Sequence, residues 1–477
     1  MTAAKTTFAL FFGNRGFFPA SLIAQARSEL SQTLRAWGYG VLMLEEAATR
    51  HGAVETLDEG ELYARFLSAH RGRFGGVILC LPNFGDENGA LAALREAGVP
   101  ILIQAYPDDM DRMAPELRRD AFCGKISIMD LFCQHGLPFT ALAPHVVSPR
   151  SDRFRANVDH FDRVCRVVNG LRDMVVGAIG ARTTPFKTVR VDEVALQRHR
   201  ITVETLDLSE VFHRMGRLRP NSRAYRDKAA ALKAYTSWQG VPERAFHALV
   251  RLGAVLDALV EEYRLDALAL RCWTEMQSQL GISPCVLLSE LNNRGIAAAC
   301  EVDVGNAVAM RALSLAAGAP AACLDWNNNY GDDDDRCILF HCGPVPAAMM
   351  AGRGRVVDHA ILANAVGPNC GFGCNAGRIA PGDFTFGSMR TEGGRLHFYL
   401  GQGAFTMDAI PAGFFGCAGV ARIENLQHVL LHVGRAGHRH HVSVTTGRVL
   451  EPLREALAHY LRFDVALPQA QPALALP

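Results

Sequence analysis

The sequence predicts an α/β protein with two Rossmann-like, doubly wound parallel-sheet domains followed by a C-terminal antiparallel β domain that is barrel-like. Up to about residue 345, short and nearly all-apolar runs alternate with helix-like runs, a pattern typical of parallel sheets buried on both faces. From about residue 346 the chain instead carries Gly, Phe and short β-like runs. We therefore predict domains at 1–170, 171–345 and 346–477, in keeping with roughly 150 residues per domain.

The elements of the first domain follow from these runs. TTFALFFG, YGVLML, GGVILCLP and VPILIQAYP are predicted strands. Amphipathic spacing predicts helices at Ser21 to Trp37, Leu62 to Arg73 and Asn88 to Ala97. The domain has no dinucleotide fingerprint. The glycine-rich segment Gly371 to Gly377 has the wrong spacing and no following helix, so we exclude dinucleotide binding there as well.

The two later domains differ from each other in their predicted secondary structure. A long helix, Asp152 to Arg172, leads into the strand MVVGAIGAR, and a second long helix begins near Pro242 before the strand DALALRCW. The C-terminal domain is predicted to contain the strands GDFTFGSM, RLHFYLGQG, HVLLHVG and HHVSVTTG. No clear helix is expected in it before Leu450 to Arg462.

Composition excludes several classes of function. The chain is 49% hydrophobic and 20% charged with a formal net charge of +1, which indicates neither a nucleic-acid nor a membrane partner. The N-terminal run FALFF is too short for a signal peptide, and no run of about 20 apolar residues follows. Thirteen cysteines, mostly inside apolar runs, indicate a reduced, cytoplasmic location. Cys370 and Cys374 lack a second pair at zinc-site spacing, so we interpret both as structural.

The most informative stretch is Ala299 to Gly343, which sets two carboxylates at the ends of what look like successive strands. Glu301 closes one apolar run and Asp325 closes the next, AACLD. Ligands of open parallel sheets gather outside the carboxyl ends of the strands. With His341 sixteen residues further on, the pattern suggests a hard divalent metal and proton-transfer chemistry.

The residues alone leave other interpretations open. Glu301 could be a helix-start acid that interacts with the dipole of the segment beginning near Gly305. Asp325 could cap the turn WNNNYG. The run Asp332 to Asp335 is interpreted as a solvated loop rather than a metal cage.

Several motifs, in their order along the chain, resemble the fucose-isomerase-like branch of the L-fucose isomerase and L-arabinose isomerase superfamily. They are LPNFGDE, QAYPDD, FCGKIS, GAIGARTTPFKTVR and LSELNNRGIAAACEVD. The resemblance extends over most of the chain. It implies a metal-dependent aldose–ketose isomerase that acts on an open-chain sugar by ene-diol proton transfer. It also implies Mn²⁺ as the ion, with Mg²⁺ or Co²⁺ as possible substitutes.

The resemblance also implies a site. Glu301 and Asp325 become metal ligands and catalytic groups, and an imidazole should be the third ligand. The family pattern favours His441 as that ligand and places His440 near the substrate, since strand alternation points the two to opposite faces. His341 matches a further ligand of the arabinose-isomerase branch; a hydrogen-bonded histidine beside the metal loop is the alternative, and we place it among the substrate contacts.

Three more residues are predicted to contact substrate. Arg15, in GNRGFFP, resembles an arginine of a loop that lies near the active site of a neighbouring subunit, although by itself it is a turn residue. Trp326 would form an apolar wall against the sugar, beside Asn327, whereas Trp273 is assigned to core packing. The resemblance further implies a homo-oligomer, a trimer or a hexamer.

The sequence does not identify the substrate. An unmodified or deoxy aldose such as fucose or arabinose is the default. The alternative is a sugar with an anionic group at C6, such as sulfoquinovose in sulfosugar catabolism, because Arg435 and Arg439 stand near the predicted ligands. A second alternative is a non-catalytic sugar-binding sensor, which would need a hinge between its domains but no metal ligands.

Overall fold

The structure, a computed structural model, describes residues 5–470. Within that range the chain divides into two units. The first comprises residues 5–169 and 455–462, and the second comprises residues 170–454 and 463–470. The predicted boundary at residue 345, within the second unit, stays a prediction.

The first unit is built on a four-stranded parallel sheet in the order β2-β1-β3-β4. Alternate residues of its strands are buried on opposite faces, since Phe11 and Leu79 belong to one apolar cluster and Leu10 and Ile78 to the other. This is the doubly wound arrangement that the all-apolar runs predict. The strands and helices are β1 (Thr7–Phe12), α1 (Ser21–Ala36), β2 (Gly40–Met43), α2 (Leu57–Ala69), β3 (Gly76–Leu81), α3 (Glu87–Leu94), β4 (Ile101–Ala105), α4 (Ala121–Gln134) and α5 (Asp152–Leu171).

Helix α2 begins five residues before its predicted start. The Thr56 side chain accepts a hydrogen bond from Glu59 N and so caps the helix. An apolar-spacing pattern alone misses this polar first turn.

The second unit contains another four-stranded parallel sheet, in the order β6-β5-β7-β8. Pro242 directly precedes α9, as predicted. Strand β8 lies at one edge of the sheet and ends immediately before Glu301. The elements are β5 (Met174–Ile179), α6 (Glu193–Arg198), β6 (Ile201–Leu206), α7 (Leu208–Arg217), α8 (Arg223–Tyr235), α9 (Glu243–Glu262), β7 (Ala267–Leu270), α10 (Glu275–Leu280), α11 (Cys285–Asn293), β8 (Ala297–Cys300) and α12 (Val304–Ala317).

The rest of the second unit is a nine-stranded mixed sheet, in the order β11-β12-β15-β10-β9-β16-β13-β14-β17. Its elements are β9 (Ala321–Asn329), β10 (Arg336–His341), β11 (Arg355–Val357), α13 (Ala363–Val366), β12 (Cys374–Arg378), β13 (Gly382–Glu392), β14 (Arg395–Phe405), β15 (Cys417–Arg422), α14 (Leu426–Arg435), β16 (His441–Thr446), α15 (Leu450–Arg454) and β17 (Asp464–Ala466).

Six of these strands close into an antiparallel barrel, because β14 also pairs with β15. Leu324, Phe386, Tyr399 and Val444 are among the residues buried in its core. The barrel includes β9 and β10, which precede residue 346, since β9 pairs with β16 and β10 with β15. Asp325 therefore belongs to a barrel strand, and our interpretation of it as the end of a parallel strand is wrong.

The run HVLLHVG is helical, so the predicted strand there is also wrong. It lies in α14, where Leu426, Val429 and Val433 are buried at the spacing of one helix face. Alternation of apolar and polar residues in so short a run does not distinguish the two structures. In the part of the chain that the structure describes, no helix is both long enough and apolar enough to cross a bilayer.

Candidate active site

The turn between β8 and α12 presents the first carboxylate. Glu301 and Val302 have φ angles of 63° and 59°, a left-handed conformation that non-glycine residues rarely adopt. Asp303 follows and caps α12 by accepting a hydrogen bond from Asn306 N at 3.0 Å. Residues held in such sparsely populated conformations concentrate at functional sites, where the surrounding contacts maintain them.

The second carboxylate and the imidazole come from neighbouring barrel strands. Asp325 in β9 lies directly opposite His441 in β16. His441 Nε2 is 3.4 Å from Asp325 Oδ1 and 3.0 Å from Glu301 Oε2. The structure thus brings together Glu301, Asp325 and His441, the three residues predicted to hold the metal.

The orientation of His441 is set by Asp303, which the sequence analysis missed. His441 is fully buried, and its Nδ1 lies 2.8 Å from Asp303 Oδ2. Burial alone would raise the pKa of the Asp303 carboxyl, but Arg439 and then His441 outweigh it and lower that pKa to about 2. Because an ionised carboxylate only accepts hydrogen bonds, His441 carries a proton on Nδ1. In the neutral imidazole the Nε2 lone pair therefore points at Glu301 and Asp325.

The Nε2 lone pair of His441 faces the carboxylates of Glu301 and Asp325, which are also hydrogen-bond acceptors. His441 Nε2 and Glu301 Oε2 are both buried and have no hydrogen-bond partner. A cation between them, a proton or a metal ion, removes the conflict. Burial disfavours the protonated imidazole, yet the Cys323 thiol and the Asp303 carboxylate raise the pKa of His441. Two carboxylates and a histidine that donates its other N–H to a carboxylate also fit a hard divalent ion.

The indole of Trp273 fixes the other oxygen of Glu301. Trp273 Nε1 donates to Glu301 Oε1 at 3.0 Å. Burial alone would raise the pKa of the Glu301 carboxyl, but the His441 imidazole outweighs burial and lowers that pKa. Glu301 is therefore held as a carboxylate whose Oε2 faces the imidazole.

His341, at the end of β10, has the opposite proton arrangement from His441. Its Nδ1 accepts a hydrogen bond from Cys342 N at 2.9 Å, so a neutral ring carries its proton on Nε2. This Nε2 is buried without a partner. The ligand atoms of Glu301, His341 and His441 are close enough to share one ion. The tautomer nevertheless favours a hydrogen-bond donor at His341 over a fourth ligand.

His440 lies closer to His441 than the strand alternation predicted. Strand β16 begins at His441, so His440 precedes it, and the two rings are 4.7 Å apart. His440 Nε2 is 3.5 Å from Asp325 Oδ1, and its side chain is 45% exposed. Burial and then the neighbouring His441 lower the pKa of His440. Both histidines therefore approach Asp325, and the expectation that they point to opposite faces is wrong.

The structure does not bring Trp326 to this site. Its indole Nε1 donates to Tyr399 Oη at 3.1 Å, and its ring packs edge-on against Phe386 in the barrel core. Asn327 is the extra residue of a β-bulge in β9, between Trp326 and Asn328, so the alternation of faces along the strand is interrupted there. Asn327 is exposed. Trp273 packs against the apolar core of the second unit, as predicted, and it also provides the aromatic surface beside Glu301.

Arg15 lies in the first unit, where its contacts are local. Its Nε donates to Gly85 O at 2.9 Å, its Nη2 lies 3.4 Å from Glu87, and its guanidinium stacks 4.3 Å from the centre of the Phe84 ring. Its substrate contact stays a prediction. The four residues Asp332 to Asp335 are exposed between β9 and β10, in line with a solvated loop.

A cavity of about 260 Å³ opens onto the carboxylates and His341. Its described lining contains neither Lys nor Arg. It combines aromatic and aliphatic side chains with thiols: Cys272, Trp273, Ser283, Cys285, Glu301, Asp325, Phe340, His341, Cys342, His359, Ile361, Leu362 and Phe415. Few polar groups in a mostly apolar cavity are typical of small-molecule sites.

Comparison with known families identifies the family to which the chain belongs. The model of the fucose/sulfoquinovose isomerase N-terminal domain matches residues 9–172, and that of the L-fucose isomerase C-terminal domain matches residues 339–468. The protein is thus an aldose–ketose isomerase by class. More particularly, the chain belongs to the fucose isomerase-like family.

Curated relatives include the sulfoquinovose isomerase of Priestia aryabhattai, 23% identical over 82% of this chain and 85% of its own length. The sulfoquinovose isomerase of Clostridium sp. (strain MSTE9) is 26% identical over 66% of this chain and 70% of its own. The apo structure of D-lactate dehydrogenase from Escherichia coli covers 56% of this chain and 83% of its own at 10% identity. Its TM-score of 0.16 is too low to carry an argument.

Proposed function

We propose that this protein is a metal-dependent aldose–ketose isomerase that moves a proton between adjacent carbons of an open-chain sugar. One observation carries the proposal. The Nε2 lone pair of His441, oriented by Asp303, faces the carboxylates of Glu301 and Asp325 beside a cavity. A sugar-binding sensor would have no need for two carboxylates and a buried imidazole that together require a cation.

Glu301, Asp325 and His441 would hold the ion, with Mn²⁺ as the expected metal and Mg²⁺ or Co²⁺ as substitutes. When bound there, a divalent ion supplies Lewis-acid polarisation of the oxygens of the substrate. The donor set of two carboxylates and one imidazole leaves coordination positions for oxygen atoms.

The residues of the chain supply proton transfer. Interconversion of an aldose and a ketose needs a carboxylate that removes a proton from one carbon and returns it to its neighbour, through an ene-diol. Glu301 and Asp325 are the two carboxylates that line the cavity. General acid–base assistance of this kind contributes about 10²- to 10⁴-fold. The Nε2–H of His341 would donate to a sugar oxygen and stabilise the charge that develops on it.

The substrate that we favour carries a sulfonate at C6. This choice rests on the relatives named sulfoquinovose isomerase. Arg439, which we expected to be a spare cation, is buried and engaged by Asp303 at 2.7 Å, so it is not free to bind a sulfonate. Arg435 is exposed at the end of α14. We therefore propose that a cation outside the cavity lining binds the sulfonate. The candidate is Arg15 of a neighbouring subunit. Fucose or arabinose remains the alternative substrate.

The test combines metal depletion with a matched panel of sugars. The purified full chain is stripped with a chelator, reconstituted with Mn²⁺, Mg²⁺ or Co²⁺, and assayed for ketose formation. The panel comprises sulfoquinovose, its uncharged 6-deoxy counterpart, glucose, L-fucose and L-arabinose. We expect activity only after metal is restored, with sulfoquinovose preferred over its uncharged counterpart.

Full activity in the stripped protein would refute the metal requirement. A preference for L-fucose or L-arabinose over sulfoquinovose would refute the sulfonated substrate and leave the isomerase class intact.

A further inference from the structure

A cluster of buried thiols lies beside the proposed active site. The Sγ atoms of Cys285, Cys300 and Cys342 all lie within 4.8 Å of one another, and those of Cys285 and Cys342 are 3.3 Å apart. All three residues are buried. They come from three separate elements, since Cys285 opens α11, Cys300 ends β8 and Cys342 follows β10. The position of the cysteines inside apolar runs gave no sign of this convergence.

We propose that these three thiols, named here the trithiol site, bind one thiophilic metal ion such as Zn²⁺, Cd²⁺ or Cu⁺. Soft sulfur ligands select such ions over the hard ions that carboxylates prefer. Sulfurs bound to one zinc ion at about 2.3 Å lie roughly 4 Å from each other. The three Sγ atoms already lie close to that separation, so binding needs little rearrangement.

The surroundings favour a thiolate at Cys285 and give access to the cluster from the cavity. Cys285 is the first residue of α11, where the helix dipole stabilises negative charge. Hydrogen bonds from the Cys300 and Cys342 thiols also lower the pKa of the Cys285 thiol. Two of the three thiols, those of Cys285 and Cys342, line the cavity. Each thiol that binds the ion as a thiolate releases its proton to solvent, so binding requires no oxidant or reductant.

Two of the three cysteines of the trithiol site are sequence neighbours of residues in the proposed active site. Cys300 is joined by a peptide bond to Glu301, and Cys342 to His341. The N–H of Cys342 also accounts for the tautomer of His341, because it donates to Nδ1 at 2.9 Å. An ion that draws these sulfurs together therefore shifts the carboxylate and the imidazole on which the proposed reaction depends. We expect a thiophilic ion to inhibit the isomerase without displacing the ion held by Glu301, Asp325 and His441.

The experiment uses Cd²⁺ as the probe, on the full chain with saturating Mn²⁺. The exposed thiols of Cys123 and Cys133 are first removed as Cys123→Ser and Cys133→Ser. Cd²⁺ is titrated while ultraviolet thiolate-to-cadmium charge-transfer absorbance and isomerase activity are followed. We expect one Cd²⁺ per chain, with absorbance and inhibition saturating together.

In this background, Cys285→Ser and Cys342→Ser should each lose the absorbance. The Cd²⁺ concentration for half-inhibition should rise by at least about tenfold, since loss of even an indirect partner of a metal ligand costs 10–100-fold in affinity. Cys337→Ser is the matched control, because Cys337 is a buried thiol of the barrel core. It should keep both the absorbance and the inhibition.

The trithiol site is refuted if Cys285→Ser and Cys342→Ser titrate like Cys337→Ser. Circular dichroism identifies a variant that does not fold, and Cys300→Ala then takes its place. The absorbance measures binding independently of catalysis, although the inhibition rests on the proposed function. A chain that binds Cd²⁺ at the three thiols but isomerises no sugar would refute the function and leave the site standing.

Discussion

Asp303 Oδ2 lies 2.8 Å from His441 Nδ1, and this contact determines which nitrogen of the imidazole faces Glu301. The same carboxylate accepts from Arg439 Nη1 at 2.7 Å through its other oxygen, Oδ1. The side chains of Asp303 and Arg439 are both almost completely buried. A single side chain two residues after Glu301 thus orients the nitrogen that we propose binds the metal, and it neutralises a buried cation.

The first prediction concerns Asp303→Asn. The amide can donate to His441 Nδ1 and so place the proton on Nε2, and it removes the charge that pairs with Arg439. We expect metal affinity to fall by about 10–100-fold and stability by about 3–5 kcal/mol. Metal titration and thermal unfolding measure the two effects. Asp383→Asn, which removes an exposed pair with Arg448, is the control and should change neither. Unaltered metal affinity in Asp303→Asn would show that the contact does not orient His441.

The second prediction concerns the carboxylates. Glu301→Gln and Asp325→Asn should each lower kcat by at least about 10²- to 10⁴-fold, because each loses the group that transfers the proton. The circular dichroism spectra should match that of the unaltered chain. Asp334→Asn, in the exposed loop, provides a carboxylate control. Near-normal turnover by either site variant would exclude its catalytic role.

The third prediction separates the three histidines by metal content. His441→Ala should lose the ion, whereas His440→Ala should retain most of it because its side chain is 45% exposed at the edge of the site. His341→Gln should retain the ion and lose kcat, since Nε2 is expected to donate to the substrate. Elemental analysis and steady-state kinetics on the same samples distinguish these cases. Loss of metal from His341→Gln would instead make His341 a fourth ligand.

The fourth prediction is a pH dependence of stability due to His438. Burial and then Arg390, Arg439, His432 and His397 lower the pKa of this imidazole to about 3. The unfolded chain binds the proton near pH 6.5, whereas the folded chain stays neutral down to about pH 3. The folded state is therefore destabilised as the pH falls below about 6.5, by at most about 1.4 kcal/mol per pH unit.

His438→Gln should remove this part of the pH dependence. Urea unfolding at pH 6.5 and pH 5.5 measures it, with exposed His135→Gln as the control. An equal loss of stability on acidification in the His438→Gln variant and the unaltered chain would contradict the assignment.

The fifth prediction concerns assembly. If Arg15 completes the site of a neighbouring subunit in a trimer or hexamer, Arg15→Ala and Glu301→Gln are each inactive alone. Mixed oligomers should recover partial activity, because some sites receive an intact arginine and an intact carboxylate. Native mass spectrometry must first demonstrate subunit exchange. Mixed oligomers that form and stay inactive would restrict Arg15 to its own subunit.

The sequence was most informative where local chemistry determines structure. All-apolar runs identified the parallel strands, and Glu301 and Asp325 were recognised as partners 24 residues apart. Their geometry was misjudged because Asp325 is paired with His441, far along the chain, in a barrel strand. No sequence pattern around Asp325 indicates its pairing with His441. The same holds for Asp303 and Arg439, 136 residues apart.

The aromatic residues show a related limit. Trp273 and Trp326 are both large and amphipathic, and the sequence did not distinguish their environments: Trp273 packs against the core and also bonds to Glu301, whereas Trp326 bonds to Tyr399. Only the direction of β9 relative to the barrel core determines that Trp326 is turned inward toward Tyr399. A one-residue shift in the register of β9 would exchange the environments of Asp325 and Trp326.

The barrel is closed by the pairing of β14 with β15, whereas Glu301 follows an edge strand of a different sheet. Glu301 and His441 are 140 residues apart in the chain. Their contact therefore requires closure of a long loop. Such contacts form slowly during folding, because the chain loses conformational entropy before the contact stabilises it. We therefore expect the proposed catalytic centre to assemble late in folding, and a metal ion bound there would link the two ends of that loop.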